Sequence, residues 1–198
     1  MIAIPSTADD ADVSRPSPGW VESMGGPLIV VPVSALASWG GGTAESGLMA
    51  GDVTAPDDYD RACAVDDLAG VIPVDEHGAQ ALVLADEPAI SCYMPEHRAF
   101  LRWLAADSEA GLSAAADVAL VDPATVWKEC GTWVSDGPAV LMDSAEAGAD
   151  LGVEYSGGGM PAQASVPLPG GRWRVRATQT WVDGENWFGL VQLLACES

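Results

Sequence analysis

Basic residues are what this sequence has least of. Lysine occurs once, at Lys128, and all bases together number 8 against 29 acids, for a formal charge of −21. Affinity for nucleic acid comes largely from Lys and Arg neutralising phosphates. A field of this sign therefore repels DNA, RNA and anionic membranes, and none of these is an expected partner. It would draw in a basic protein and speed the encounter. Solubility alone is the plainer reading of the same charge, with halophilic adaptation as one form of it.

Other scarcities exclude chemistry. The two histidines, His77 and His97, show no HxH or HxxxH spacing, so a zinc site is not expected. Cys63, Cys92, Cys130 and Cys196 lie far apart with no CxxC and read as buried thiols of a reducing compartment. The glycine runs 40–42 and 157–159 lack the following Lys-Ser or Lys-Thr of a phosphate loop and read as flexible connectors. Ser23, in Val21-Glu22-Ser23-Met24-Gly25, lacks the first glycine of a nucleophile elbow and reads as a turn or cap residue. Carboxylates are too abundant for any pair to mark an acid/base site. No run approaches the ~18 apolar residues that span a bilayer. The start Met1-Ile2-Ala3-Ile4-Pro5 has no basic region of a signal peptide, so a cytoplasmic location is expected. No cofactor, no metal and no catalytic residue is expected, and the chain does not read as an enzyme.

What is present is a foldable chain. It is 48% hydrophobic over 198 residues, long enough to bury about 70% of its extended surface. Twenty-two glycines and 14 prolines favour short strands and turns. Residues 1–18, rich in Ser, Pro and Asp, read as a disordered tail. Residues 19–198 read as one domain. Strands are expected at 28–31, 62–65, 70–74, 79–85, 132–135, 139–142, 172–182 and 187–194. The last is apolar on both faces and should be central in its sheet. On strand 172–182 one face carries Trp173, Val175, Ala177 and Trp181, and the other Arg172, Arg174 and Arg176, expected to pair with local acids. Helices are expected at 35–39, at 95–107, where His97, Phe100, Leu101 and Leu104 recur at helical spacing, and at 111–120; 127–130 reads as a helical turn.

The fold class is therefore α+β: two related β-rich halves, about 19–108 and 124–198, made of antiparallel sheets with a few short helices. Two echoes point to an internal duplication. Trp20-Val21-Glu22-Ser23 and Trp133-Val134-Ser135-Asp136 each precede Gly-Pro and an apolar strand. Val65 to Val74 with 81–84 resembles Val166 to Val175 with 189–193.

The acids are unevenly spread. Asp57, Asp58, Asp60, Asp66, Asp67, Asp75 and Glu76 crowd a short region opposed by Arg61. Asp143, Glu146, Asp150 and Glu154 form a looser second group. The first group, with Tyr59, is the candidate docking surface for a basic partner. Aromatic anchors dominate binding energy, and Tyr59, Trp39 and Tyr155 are placed to supply them or to serve the core.

Taken in order, several motifs resemble one family. They are Trp20 to Pro32, Trp39, Asp58 to Cys63, Ala81 to Pro88, Phe100 to Trp103 and Gly137 to Ser144. Together they are similar to the immunity protein 21 family over about residues 19–195. The resemblance implies an immunity protein of a bacterial polymorphic toxin system, one that binds and neutralises a cognate toxin domain in the producing cell. It implies no catalytic residues. The charge makes a basic toxin, such as a nuclease, the expected partner. Two other classes remain open: a small cytosolic hydrolase-like enzyme with a carboxylate site, and an acidic regulator that mimics nucleic acid.

Overall fold

The computed structural model describes residues 19–42, 56–182 and 184–196. The expected tail 1–18 and most of the loop 43–60 lie outside the described residues. Those described form ten strands: β1 (Leu28–Pro32), β2 (Gly70–Pro73), β3 (Gln80–Leu84), β4 (Ile90–Met94), β5 (Ala99–Ala105), β6 (Lys128–Ser135), β7 (Ala139–Asp143), β8 (Gln163–Val166), β9 (Gly171–Val182) and β10 (Asn186–Ala195). Two α-helices, α1 (Asp58–Cys63) and α2 (Glu109–Val121), and two 3₁₀ turns, Val33–Ser38 and Gly148–Asp150, complete the order.

The strands make two antiparallel five-stranded sheets, ordered β2-β3-β1-β7-β8 and β4-β5-β10-β9-β6. Their facing sides share one apolar core. Leu28, Val30, Leu82, Leu84 and Leu141 meet Tyr93, Phe100, Trp133, Val175 and Leu193 there. Each outer face is covered as well. On the first sheet, Ile29, Val31, Val83 and Met142 pack under Ala35 of the 3₁₀ turn 33–38, Trp39 just after it and Ala62 of α1. On the second, Cys92, Leu101, Phe188 and Leu190 pack under Leu112, Ala116, Ala119 and Leu120 of α2. The result is a four-layer stack of helices, sheet, sheet and helix. A sheet buried on both sides has strands apolar on both sides, which is why β10 reads as a continuous apolar run. As expected, β10 is central, paired with β5 and β9.

That double burial also explains the main misreading. Residues 95–107 are not a helix: 95–98 turn, and β5 runs in the second sheet between β4 and β10. Phe100 faces the sandwich core and Leu101 faces α2. With both faces apolar, the sequence satisfies a helical spacing by coincidence. Likewise Ala62 to Val65 ends α1 rather than forming a strand, and 127–130 enters β6 rather than a helical turn. The helix expected at 111–120 is α2, capped by Ser108, whose side chain accepts from the Gly111 N–H at 3.1 Å.

Duplication does not follow from the topology. The first echo relates β1 to β7, neighbours in one sheet. The second relates the hairpin β2–β3 to β9–β10, which lie in different sheets. No single rigid operation performs both. Each half contributes strands to both sheets.

The glycine run 40–42 is not a flexible connector. Gly41 has φ +65°, and a Cβ there would lie 2.4 Å from the Ala145 carbonyl oxygen. Gly42 N–H donates to that oxygen at 3.0 Å. This contact seats Trp39, whose buried indole N–H donates to the Ser144 carbonyl at 3.1 Å.

Candidate partner-binding surface

The acids singled out in the sequence begin in the cap of α1. Asp57 accepts from the Asp60 N–H at 2.8 Å and Asp60 accepts from the Asp57 N–H at 3.2 Å, a reciprocal capping box. Asp58 pairs with Arg61 and accepts from the Gly40 N–H at 2.7 Å. Arg61 also donates to the Pro73 carbonyl at 2.7 Å, tying α1 to the end of β2. Beyond β2, Asp75 closes the turn to β3 by accepting from the His77 and Ala79 N–H groups at 2.9 and 3.1 Å. Asp67 accepts from the Leu68 N–H at 2.6 Å and pairs with Lys128 at 2.8 Å. The lysine holds the Asp67 carboxyl below its usual range, and the carboxylate raises Lys128. Asp66 and Glu76 stand exposed.

Five of these acids, Asp57, Asp58, Asp60, Asp67 and Asp75, therefore serve local structure. Their oxygens are engaged by N–H groups or bases, yet their charge still contributes to the field. Tyr59 is not an exposed anchor. It is half-buried against Gly26 and Gly42, and its hydroxyl is pushed up to about 12, first by burial and then by its hydrogen bond with Cys63. Trp39 is core. In the second acidic group, Asp143 is buried and accepts from the Met24 and Ala145 N–H groups at 2.6 and 2.8 Å. Glu146 accepts from the Tyr155 hydroxyl at 2.6 Å.

The concave surface lies elsewhere. An open notch of about 460 Å³ is lined by Asp66, Asp67, Asp86, Glu87 and Lys128 with Val65 and Leu68. Its far wall, the loop 85–88, is bolted from below by Arg102, a buried residue of β5 whose guanidinium donates to the Ala85 and Glu87 carbonyls. Burial pulls this guanidinium down to about 10, which leaves it charged at neutral pH.

Past Lys128 and Leu68, the notch opens into a larger groove of about 710 Å³ between the end of α2, the chain entering β6, and β9. Gln179 in the groove donates to Asp86 in the notch at 3.1 Å, so the two are continuous. Apolar side chains stand exposed around the groove: Val118, Val126 and Trp181, the last 58% exposed. Trp181 was expected on the inward face with Trp173, Val175 and Ala177. It shares their side of β9 but stands in solvent, stacked on its cross-strand neighbour Trp187 at 5.3 Å between ring centroids. Sequence reasoning missed this groove. Its signal was the uncharged run Thr178 to Val182 within an acidic chain.

The remaining candidates are structural. Ser23 closes a turn, donating to the Gly26 carbonyl at 2.6 Å. His97 Nε2 lies 3.0 Å from Asp117 Oδ1 of α2, joining the β4–β5 turn to the helix. Of the arginine stripe, Arg174 meets Glu129 at 3.6 Å. Arg176 instead lies over the Trp127 ring at 4.2 Å and donates to Gln192, so this arginine does not pair with an acid as expected. Of the four cysteines expected to be buried only Cys92 is, its thiol pushed up to about 12; Cys63 is exposed, and Cys130 and Cys196 are half-buried. Among the described residues, no group of three metal-binding side chains converges. No helix among them is long and apolar enough to cross a membrane.

The family model described as Immunity protein 21 matches residues 19–186. No curated protein and no solved structure matches the chain.

Proposed function

The chain belongs to the immunity protein 21 family, and from that premise we propose that it binds a cognate toxin domain in the cytoplasm of the producing cell and neutralises it by occlusion, without catalysing a reaction. The family match over residues 19–186 carries this reading. The charge of −21 supports a basic toxin, such as the nuclease of a polymorphic toxin system, because acids can fill a cleft built for phosphates. Asp57, Asp58, Asp60, Asp67 and Asp75 contribute steering through their charge. Direct contact falls to exposed acids such as Asp66 and Glu76, with Tyr59 as support.

Growth rescue tests the reading. Proteins captured by this chain from its native cells at low salt, and retained at high salt, are each expressed alone and together with it. A captured protein that arrests growth alone, and no longer does so beside this chain, supports neutralisation. Arrest that co-expression leaves unchanged, or no captured protein that arrests growth, counts against it.

A further inference from the structure

Sheet edges are templates for foreign strands, and natural proteins blunt them with short length, proline, charge, bulges or covering chain. Four edges here follow that rule. β2 is four residues long and ends at Pro73. β8 is four residues long. β4 is bridged by Val21 through Ser91. β6 carries Lys128 and Glu129, and its register with β9 shifts between Glu129 and Thr132, around Gly131 at φ +100°.

One stretch departs from the rule. The pairing of β6 with β9 stops at Lys128 opposite Ala177, while β9 continues to Val182. Upstream of Lys128 the chain leaves the sheet: the Thr125 hydroxyl donates to the Ala119 carbonyl of α2 at 2.6 Å, and Val126 is 84% exposed. Residues 178–182 thus have β10 on one side and the 710 Å³ groove on the other. Thr178-Gln179-Thr180-Trp181-Val182 contains neither charge nor proline. Alternate residues of such an edge direct N–H and C=O groups outward.

We propose that the 178–182 edge of β9 is the docking site for an extended, lysine- or arginine-bearing segment of the partner, which adds to the second sheet as a strand in the place β6 vacates. Trp181 and Val126 provide the apolar grip. The basic side chains reach Asp122 at the groove and Asp66, Asp86 and Glu87 in the adjoining notch, where Lys128 is the only base of either lining. Charge selects this occupant over two rivals. A second copy of the chain brings another −21 to an acidic rim, and the chain's own residues 1–18 carry Asp9, Asp10 and Asp12 against one base, Arg15. Main-chain pairing supplies affinity in this mode of recognition, and side-chain pockets supply specificity. The inference rests on the toxin-binding reading and assigns its surface.

The test uses the full chain and a synthetic peptide that alternates lysine with valine and tryptophan. Controls are the same pattern with glutamate for lysine and a version interrupted by prolines. The expected result is binding of the lysine peptide alone at low salt, with amide exchange slowed at 178–182. Trp181→Ala should weaken binding about ten-fold or more; Val126→Ser, also at an exposed site and without added charge, should weaken it in the same direction. Thermal melts of both variants, unchanged from wild type, show that the fold is intact. Protection elsewhere, equal binding of the glutamate peptide, absence of binding, or self-association through 178–182 overturns the proposal. If a toxin is found by growth rescue and both variants still neutralise it fully, the edge is not the toxin site, while the immunity reading stands.

Discussion

Replacing Arg102 by methionine should destabilise the protein by about 3 kcal/mol. Two effects oppose each other. Removing a buried guanidinium relieves its desolvation, and such replacements are sometimes neutral or stabilising when both partners of an ion pair are removed together. Here the partners stay. Arg102 is 3% exposed and donates to the Ala85 and Glu87 carbonyls. Ala85 is buried, so its oxygen cannot turn to water, whereas Glu87 is exposed and its oxygen can. An orphaned buried acceptor costs about 1–3 kcal/mol, and losing a charge-assisted bond costs about 1.5–3 kcal/mol. The sum exceeds the relief because methionine fills the alkyl volume but satisfies neither carbonyl. At this chain length about 3 kcal/mol lowers Tm by roughly 6–12 °C. Urea unfolding should show a lower midpoint with an unchanged slope. Arg102→Lys, able to reach one carbonyl at a time, should fall between. Amide exchange should quicken at 85–88, the loop that presents Asp86 and Glu87 to the notch. An Arg102→Met unfolding free energy within about 0.5 kcal/mol of wild type would refute the reasoning, because it would mean that the carbonyls find other partners at no cost.

Gly148→Ala should destabilise by several kcal/mol, roughly the upper range of core overpacking, because a Cβ there would stand 2.0 Å from the Leu36 carbonyl oxygen, backbone against backbone; thermal unfolding measures it. Asp57→Ala should cost about 1 kcal/mol through loss of the capping box, read by urea denaturation, with Asp57→Asn retaining part of it. The Asp67–Lys128 pair has a depressed carboxyl and a raised ammonium. Asp67 thus stabilises the fold above the ordinary carboxyl range, an effect lost as pH falls through its lowered folded value; Lys128 does so below the ordinary lysine range, lost as pH rises through its raised one. Asp67→Asn should abolish the acid-side difference in a pH series of unfolding midpoints. With its thiol pushed up to about 12 and no exposure, Cys92 should resist a disulfide reagent at pH 8 until the protein unfolds, while exposed Cys63, its thiol also raised by burial, reacts in the native state but more slowly than a free thiol; mass spectrometry of the labelled peptides reads both.

The sequence by itself determined the strands whose ends it marks. β1 is stopped by Pro32, β7 begins after Asp136-Gly137-Pro138, and β9 and β10 flank Asp183-Gly184. It determined α2 through its alanines, the central place of β10 through apolar residues on both faces, the acidic field, and the order of motifs that belongs to the family. Only the tertiary structure decided β5, because a strand covered by a sheet on one side and a helix on the other loses the alternation that identifies it. The Asp57–Asp60 cap, the Asp58–Arg61 pair and the Asp75 turn lie within four residues and are signals the sequence already carries. Only the tertiary structure showed that Asp58 also accepts from the Gly40 N–H and that Asp67 pairs with Lys128, since those partners are brought near in space. The same holds for Trp181. Its spacing matches that of Trp173, Val175 and Ala177, and what separates it from them is where the facing sheet and β6 end. Periodicity states which face of an element is apolar; what covers that face is a property of the packed molecule.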